Sequence, residues 1–385
     1  MGVDLPCCFC MLSQKPKPPA AWENSFAAGG FAFRQYRTKS VWRLCTPSAC
    51  KFLVIFHKNA REYIKYSLRF LFHLTENLTT HLSHNLCAVL PLFFSERGVT
   101  SFMIGIALEG GAERSSFTAG VIDALMARDF YAAAASGTSA GAGCVLNYRS
   151  RQQGVSLEMM IMERHSRYFG IRHMAHTGRF LNLDHMAQEY ASRIDWTVYQ
   201  QFAMQTDFVA TCCEDGEPAY LTDDGSRHRL FTAIKASCAL PIICEPVELD
   251  GKHYVDGSIA DPIPFLHLLE QGCDKVIVVL TGSEHARPTD YTRLRPLLRQ
   301  LYAKKYPMLY HAVLHRIARY KEQVHALEQA QREQRALVLR PQVKSIPLFT
   351  QNEDKIRAYY QHGCELVDQR WTEITAFLES RTLTQ

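Results

Sequence analysis

Hydrophobic and polar positions fall into three regimes along the chain. From residue 101 to about 282, short apolar runs alternate with helix-like segments. Residues 102–108, 131–135, 207–212 and 275–280 read as strands, and 183–194 and 232–238 as helices. The run 131–135 holds four alanines, which favour helix, so a strand there must be imposed by tertiary context. Apolar strands alternating with helices predict an α/β fold with a mainly parallel sheet covered on both faces. A functional site then belongs at the carboxyl ends of the strands. Beyond residue 287 the period lengthens. Leu309, Val313, Ile317, Tyr320, Val324 and Leu327 recur at three- and four-residue spacing, as do Ile356, Tyr360, Cys364, Val367, Trp371, Ile374 and Leu378. Each set predicts a helix with one buried stripe, bounded near Pro307 and Pro341.

Residues 1–100 carry no clean period. They are expected to be an N-terminal extension, disordered or dispensable, ahead of a catalytic domain over 101–285 and a helical C-terminal region over 286–385. Asp4 near the start and the lack of a basic segment before an apolar core argue against a secretory signal. Pro6 stands where a myristoylation signal wants Ser or Thr. Lys58, Arg61, Lys65 and Arg69 interrupt the aromatic stretch 52–94, so no run reaches the ~18–20 apolar residues of a membrane span.

Composition is ordinary for a globular protein, at 47% hydrophobic and 21% charged over 385 residues. The formal net charge of +5 conceals a strong asymmetry. Lys plus Arg against Asp plus Glu number 12 and 5 over residues 1–100, 14 and 23 over 101–285, and 17 and 10 over 286–385. An acidic middle between basic flanks points to attraction toward an anionic surface rather than to reading of nucleic acid. Thirteen cysteines include one C-x-x-C at Cys7 and Cys10, with no second pair and no histidines at finger spacing. No metal is expected. Cys144, Cys212, Cys213, Cys238, Cys244, Cys273 and Cys364 read as thiols of a reducing compartment, which fits the cytoplasm.

The chemistry centres on Gly137-Thr138-Ser139-Ala140-Gly141, a G-x-S-x-G between an apolar run and a small-residue segment. This is the layout of a nucleophile elbow, a strained strand-to-helix turn that presents a serine hydroxyl. The amide end of the following helix favours negative charge at that point. Upstream, Glu109-Gly110-Gly111-Ala112-Glu113-Arg114 follows a short strand and opens a helix, so its amides can face an oxyanion. A phosphate loop is the competing use of such glycines, but no Gly-Lys-Ser/Thr follows. Downstream, His253-Tyr254-Val255-Asp256-Gly257-Ser258 places an aspartate at a strand end, where an ordinary tight turn is the plain alternative.

These three motifs, with Ala236-Ser237-Cys238-Ala239-Leu240-Pro241 in the A-S-x-A-x-P pattern, resemble the patatin-like phospholipase family in order and spacing. The resemblance covers about residues 103–282. It implies a three-layer α/β/α fold and a serine acyl hydrolase acting on lipid or ester substrates through a Ser-Asp dyad, without a cofactor. Ser139 would be the nucleophile and Asp256 its base, with the amides of Gly110, Gly111 and Ala112 as the oxyanion hole. Arg114, Gly137, Gly141 and Gly257 would support the motifs. Two positions depart from the family: Ala112 replaces a third glycine, and Ser115 stands where a glycine usually follows the basic residue. A positive φ at Ala112 would carry a Cβ penalty. Two other functions stay open: a triad completed by His311 or His315, and an inactive member that binds lipid or protein. Finally, Arg293, Arg295, Arg299, Lys304, Lys305, Arg316, Arg319 and Lys321 run among leucines with only Asp290 and Glu322 opposing them. They suggest peripheral contact with anionic membranes.

Overall fold

The computed structural model describes residues 102–162, 170–177, 181–284, 286 and 288–380, and the backbone of four strands before them. Two compact units divide at residue 101. In the first, strands β1 (Trp22–Ala28), β2 (Phe31–Tyr36), β3 (Val41–Cys45) and β4 (Leu53–Ile55) form an antiparallel sheet in sequential order. The expectation of a disordered or dispensable extension otherwise lies outside the described residues.

The second unit is built on an eight-stranded sheet. Its strands are β5 (Ile104–Leu108), β6 (Ala134–Thr138), β7 (Gln205–Cys212), β8 (Pro218–Leu221), β9 (Val247–Leu249), β10 (Lys252–Asp256), β11 (Lys275–Val279) and β12 (Ala336–Leu339). The order is β12-β11-β5-β6-β7-β10-β9, with β8 also paired to β7. From β12 to β7 every pair is parallel, while β8, β9 and β10 are antiparallel to their neighbours.

The helices are α1 (Ser115–Met126), α2 (Ala140–Arg149), α3 (Val155–Met162), α4 (Ile171–Thr177), α5 (Leu183–Arg193), α6 (Trp196–Gln201), α7 (Arg227–Cys238), α8 (Phe265–Glu270), α9 (Arg295–Tyr302), α10 (Pro307–Arg332), α11 (Glu353–Gln369) and α12 (Trp371–Glu379). Strand alternation sorts side chains onto two faces. Ile277, Val279, Leu337 and Leu339 enter one core with α1, α2, α7 and α11. Val276, Val278, Ala336 and Val338 enter a second core with α8 and α10. That is the three-layer α/β/α arrangement expected from the sequence, with further helices at the C-terminus.

Three details differ from the pattern. Strand β6 lies three residues later than the alanine run suggests, because parallel pairing with β5 (Gly105 with Ala134, Leu108 with Gly137) and β7 carries it to Thr138. The second C-terminal stripe breaks at Arg370 into α11 and α12. And residues 336–339, a buried apolar run too short for helix periodicity, add β12 beside β11. The C-terminal segment therefore completes the sheet as well as supplying helices. It also packs tightly: a Cβ on Gly120 of α1 would strike the Tyr360 carbonyl, and one on Gly363 of α11 the Phe117 carbonyl.

Candidate active site

Strand register alone brings the serine and aspartate segments together. Phe208 and Val209 of β7 pair with Gly137 and Thr138 of β6 and, on their other side, with Leu221 and Tyr220 of β8. Ala210 and Thr211 pair with both β8 and β10. A residue has one partner per edge, so β6 and β10 share an edge of β7 and meet end to end. Thr138 stands opposite Val209, and Asp256 opposite Ala210, the next residue. The strand end that delivers Ser139 thus abuts the one that delivers Asp256.

Ser139 has φ 55 and ψ −127, a left-handed φ that non-glycine residues rarely adopt. Strain of this kind persists only where the surroundings over-determine it. A Cβ on Gly137 would lie 2.5 Å from the Gly141 carbonyl, and a Cβ on Gly141 2.5 Å from that of Leu108. The elbow therefore needs glycine at both positions. Ser139 is the N-cap of α2, yet its side chain makes no capping bond, so its hydroxyl is not consumed by the helix. Its amide donates to the Ser237 hydroxyl at 2.8 Å. Two residues on, the Ala239 carbonyl accepts the Asp256 amide at 2.9 Å. The 236–241 segment, recognised only as a pattern in the sequence, thus holds the backbone of both residues.

Asp256 is fully buried. Its Oδ1 accepts the Ser258 amide at 2.8 Å. Burial pushes its carboxyl up from the usual range; the nearby Ser139 hydroxyl, the Ser258 bonds and the Arg316 charge oppose this less strongly. Its Oδ2 is buried without a hydrogen-bond partner, which leaves one carboxylate acceptor unused. A carboxylate so placed is a stronger base than an exposed one.

The glycine loop closes the site from β5. A Cβ on Gly110 would lie 2.9 Å from the Ser139 Cβ and 2.8 Å from the Thr138 carbonyl, so only glycine lets this backbone reach the elbow. The Gly110 and Gly111 amides donate to no acceptor among the described residues. Gly111 is extended at φ −175. Ala112 has φ 44, so the departure from glycine falls on a left-handed residue. Arg114 anchors the loop through Nε to the Ile346 carbonyl at 2.7 Å, and the Glu113 amide donates to Leu348 at 3.2 Å. A Cβ on Gly257 would strike the Val209 carbonyl.

Other candidates separate from this cluster. His311 and His315 are exposed on α10, and His315 Nδ1 bonds the His311 carbonyl one turn back. No histidine bonds Asp256 among the described residues. No group of metal-binding side chains occurs among them either, the seven described cysteines are free thiols, and no described helix is long and apolar enough to cross a membrane. Arg316 and Arg319, read from the sequence as part of a basic outer face, turn inward to the carbonyls of Ser258 and Ala260. The residues that sequence reasoning missed are Glu109, Ser237, Ser258, Thr281, Arg316 and Tyr320. Glu109, Ser237 and Ser258 lay inside the quoted motifs without a role assigned to them, whereas Thr281, Arg316 and Tyr320 lay in none.

Residues 106–269 match the family model for patatin-like phospholipase, and 306–379 match a domain of unknown function, DUF6363. The chain contains a patatin-like phospholipase domain. It is 29% identical over 190 residues to the uncharacterized protein YjjU of Escherichia coli, covering 46% of this chain and 52% of that protein. It is 27% identical over 197 residues to the uncharacterized NTE family protein Rv1063c of Mycobacterium tuberculosis, covering 50% and 53%. The chain thus spans about half the length of the curated relatives it matches. Among solved structures, VipD from Legionella pneumophila aligns at TM-score 0.39 and 12% identity over 71% of this chain and 67% of that one.

Proposed function

We propose that the chain is a serine acyl hydrolase that cleaves carboxylic esters of lipids. The family supports lipid hydrolysis; the dyad and the oxyanion hole are inferred from the geometry. The observation that carries the reading is the meeting of β6 and β10 on one edge of β7, with the Gly110 backbone pressed against Ser139.

In this reading Asp256 takes the Ser139 proton as the hydroxyl oxygen attacks the ester carbonyl, since a free serine is a weak nucleophile. The amides of Gly110, Gly111 and Ala112 receive the developing oxyanion, each such donor contributing on the order of 3 kcal/mol. The alcohol leaves with the proton that Asp256 held. Water, deprotonated by the same carboxylate, then attacks the acyl carbon; the acid leaves as Asp256 returns that proton to the Ser139 oxygen. Apart from that water, every step uses groups of this chain. The exposed positions of His311 and His315 favour the dyad over a triad. The free thiols fit a cytoplasmic enzyme that meets its substrate at a lipid surface.

A hydrolysis panel of glycerophospholipids, monoacyl lipids and p-nitrophenyl esters of several chain lengths tests this. Wild type should turn over at least one class and Ser139→Ala none; equal rates in the two proteins would refute it.

A further inference from the structure

One face of α10 docks on both halves of the site. Arg316, Arg319, Tyr320 and Gln323 recur at positions i, i+3, i+4 and i+7, the spacing of one helical stripe. Arg316 Nε donates to the Ser258 carbonyl at 2.8 Å, and the Ser258 amide donates to Asp256 Oδ1 at 2.8 Å. A second Arg316 nitrogen, Nη1, donates to Thr289 at 3.0 Å, which fixes the guanidinium in place. One turn later, Tyr320 donates to Glu109 Oε1 at 2.9 Å. The other oxygen of Glu109 accepts the Thr281 amide at 2.5 Å and its hydroxyl at 3.0 Å. Glu109 is buried and directly precedes Gly110. Arg319 reaches the Ala260 carbonyl, and Gln323 bonds the Asp261 carboxylate, whose backbone carbonyl accepts the Thr138 hydroxyl at 2.9 Å. The same C-terminal segment sends Tyr359 of α11 to the Thr281 carbonyl at 2.9 Å.

Helices commonly dock through an apolar stripe. This one is polar, and its bonds end on Glu109, on the turn after Asp256 and on the residue that supports Thr138. We propose that the 306–379 segment is part of the catalytic machinery, and that Tyr320 and Arg316 are positioning residues. Tyr320 fixes the oxyanion loop through Glu109, and Arg316 fixes the aspartate turn through Ser258. The proposal rests on the acyl-hydrolase reading and assigns a role in it to a segment that carries none of its motifs.

The test uses Tyr320→Phe, Glu109→Gln, their double variant, Arg316→Gln and Arg316→Lys in the full chain. Each is measured for kcat and KM on a p-nitrophenyl ester, for the rate of Ser139 labelling by a fluorophosphonate, and for melting temperature. Tyr320→Phe removes one hydroxyl and leaves the ring packing, so it should lower kcat and the labelling rate together by about tenfold, with KM little changed. Because Tyr320 acts through Glu109, the double variant should be no slower than Glu109→Gln alone. Arg316→Gln should lower kcat similarly, and Arg316→Lys should restore part of it. Unchanged kcat and labelling in Tyr320→Phe and Arg316→Gln, or losses that follow only the melting temperature, would overturn the proposal while an active wild type upheld the hydrolase reading. A wild type that neither labels nor hydrolyses would overturn both.

Discussion

Replacing Gly110 with alanine tests whether the glycine loop and the elbow are held in contact for a chemical reason. The added methyl carbon would sit 2.9 Å from the Ser139 Cβ and 2.8 Å from the Thr138 carbonyl, where ordinary contacts begin at 3.4 Å. Both obstacles are backbone or the first side-chain atom, so no flexible group can swing aside. The loop and the elbow must separate by about 0.5 Å or more. Overpacking of this kind costs roughly 1–3 kcal/mol, and misplacing reacting groups by about 1 Å can cost on the order of a hundredfold in rate. The two effects separate by assay. We predict a drop of a few degrees in melting temperature, with kcat on a short-chain p-nitrophenyl ester lowered by about ten- to a hundredfold and fluorophosphonate labelling slowed alongside. Full activity at an unchanged melting temperature would mean that Gly110 does not lie against Ser139 as described.

Three further predictions concern stability and binding. Burial lifts the Asp123 carboxyl to about 6 from an ordinary 3.8. Below about pH 4 both folded and unfolded chains hold it neutral; above about pH 6 the folded chain carries a buried charge. The group therefore costs stability, on the order of 3 kcal/mol, that appears as pH rises through this window. Asp123→Asn should gain melting temperature relative to wild type between pH 4 and 8, and parallel curves would refute this. A chain starting at Phe102, where the second unit begins, should melt cooperatively and keep ester turnover; an insoluble or inactive product would show that residues 1–101 cover part of its core. On α9, Leu298 and Tyr302 are buried while Leu297 and Leu301, with Leu294 just before the helix, are 40–45% exposed beside Arg293, Arg295, Arg299, Lys304 and Lys305. Co-sedimentation with anionic vesicles should be strong at 0.1 M salt and weak at 1 M, as the Debye length falls from ~10 Å to ~3 Å, and Leu297→Ser with Leu301→Ser should weaken it. Equal binding to neutral vesicles would exclude this surface.

Local chemistry was readable from the chain, and long-range chemistry was not. Gly137, Ser139 and Gly141 announce an elbow because a strained turn admits few residue types. The positive φ at Ala112 was foreseeable from the glycine it replaces. The arrangement of β6 and β10 on one edge of β7 was invisible, since it follows from β8 occupying the other edge, and β8 is only four residues opening on a proline. On α10, periodicity identified the helix but misjudged its faces. Arg316 and Arg319 look like a solvated basic surface until the 258–263 loop is set against them. Tyr320 looks like part of an apolar stripe until Glu109 meets its hydroxyl. A single helix stripe can be apolar or polar toward its own protein, and only the partner decides which.

Whether Ser139 and Asp256 act together is decided by mass spectrometry of a fluorophosphonate reaction. Wild type, Ser139→Ala and Asp256→Asn are exposed to the reagent, digested and mapped. Wild type should carry one adduct, on the peptide bearing Ser139. Ser139→Ala should carry none, and Asp256→Asn should label slower by orders of magnitude with its melting temperature retained. An adduct on another residue, or undiminished labelling of Ser139 in Asp256→Asn, would contradict the dyad.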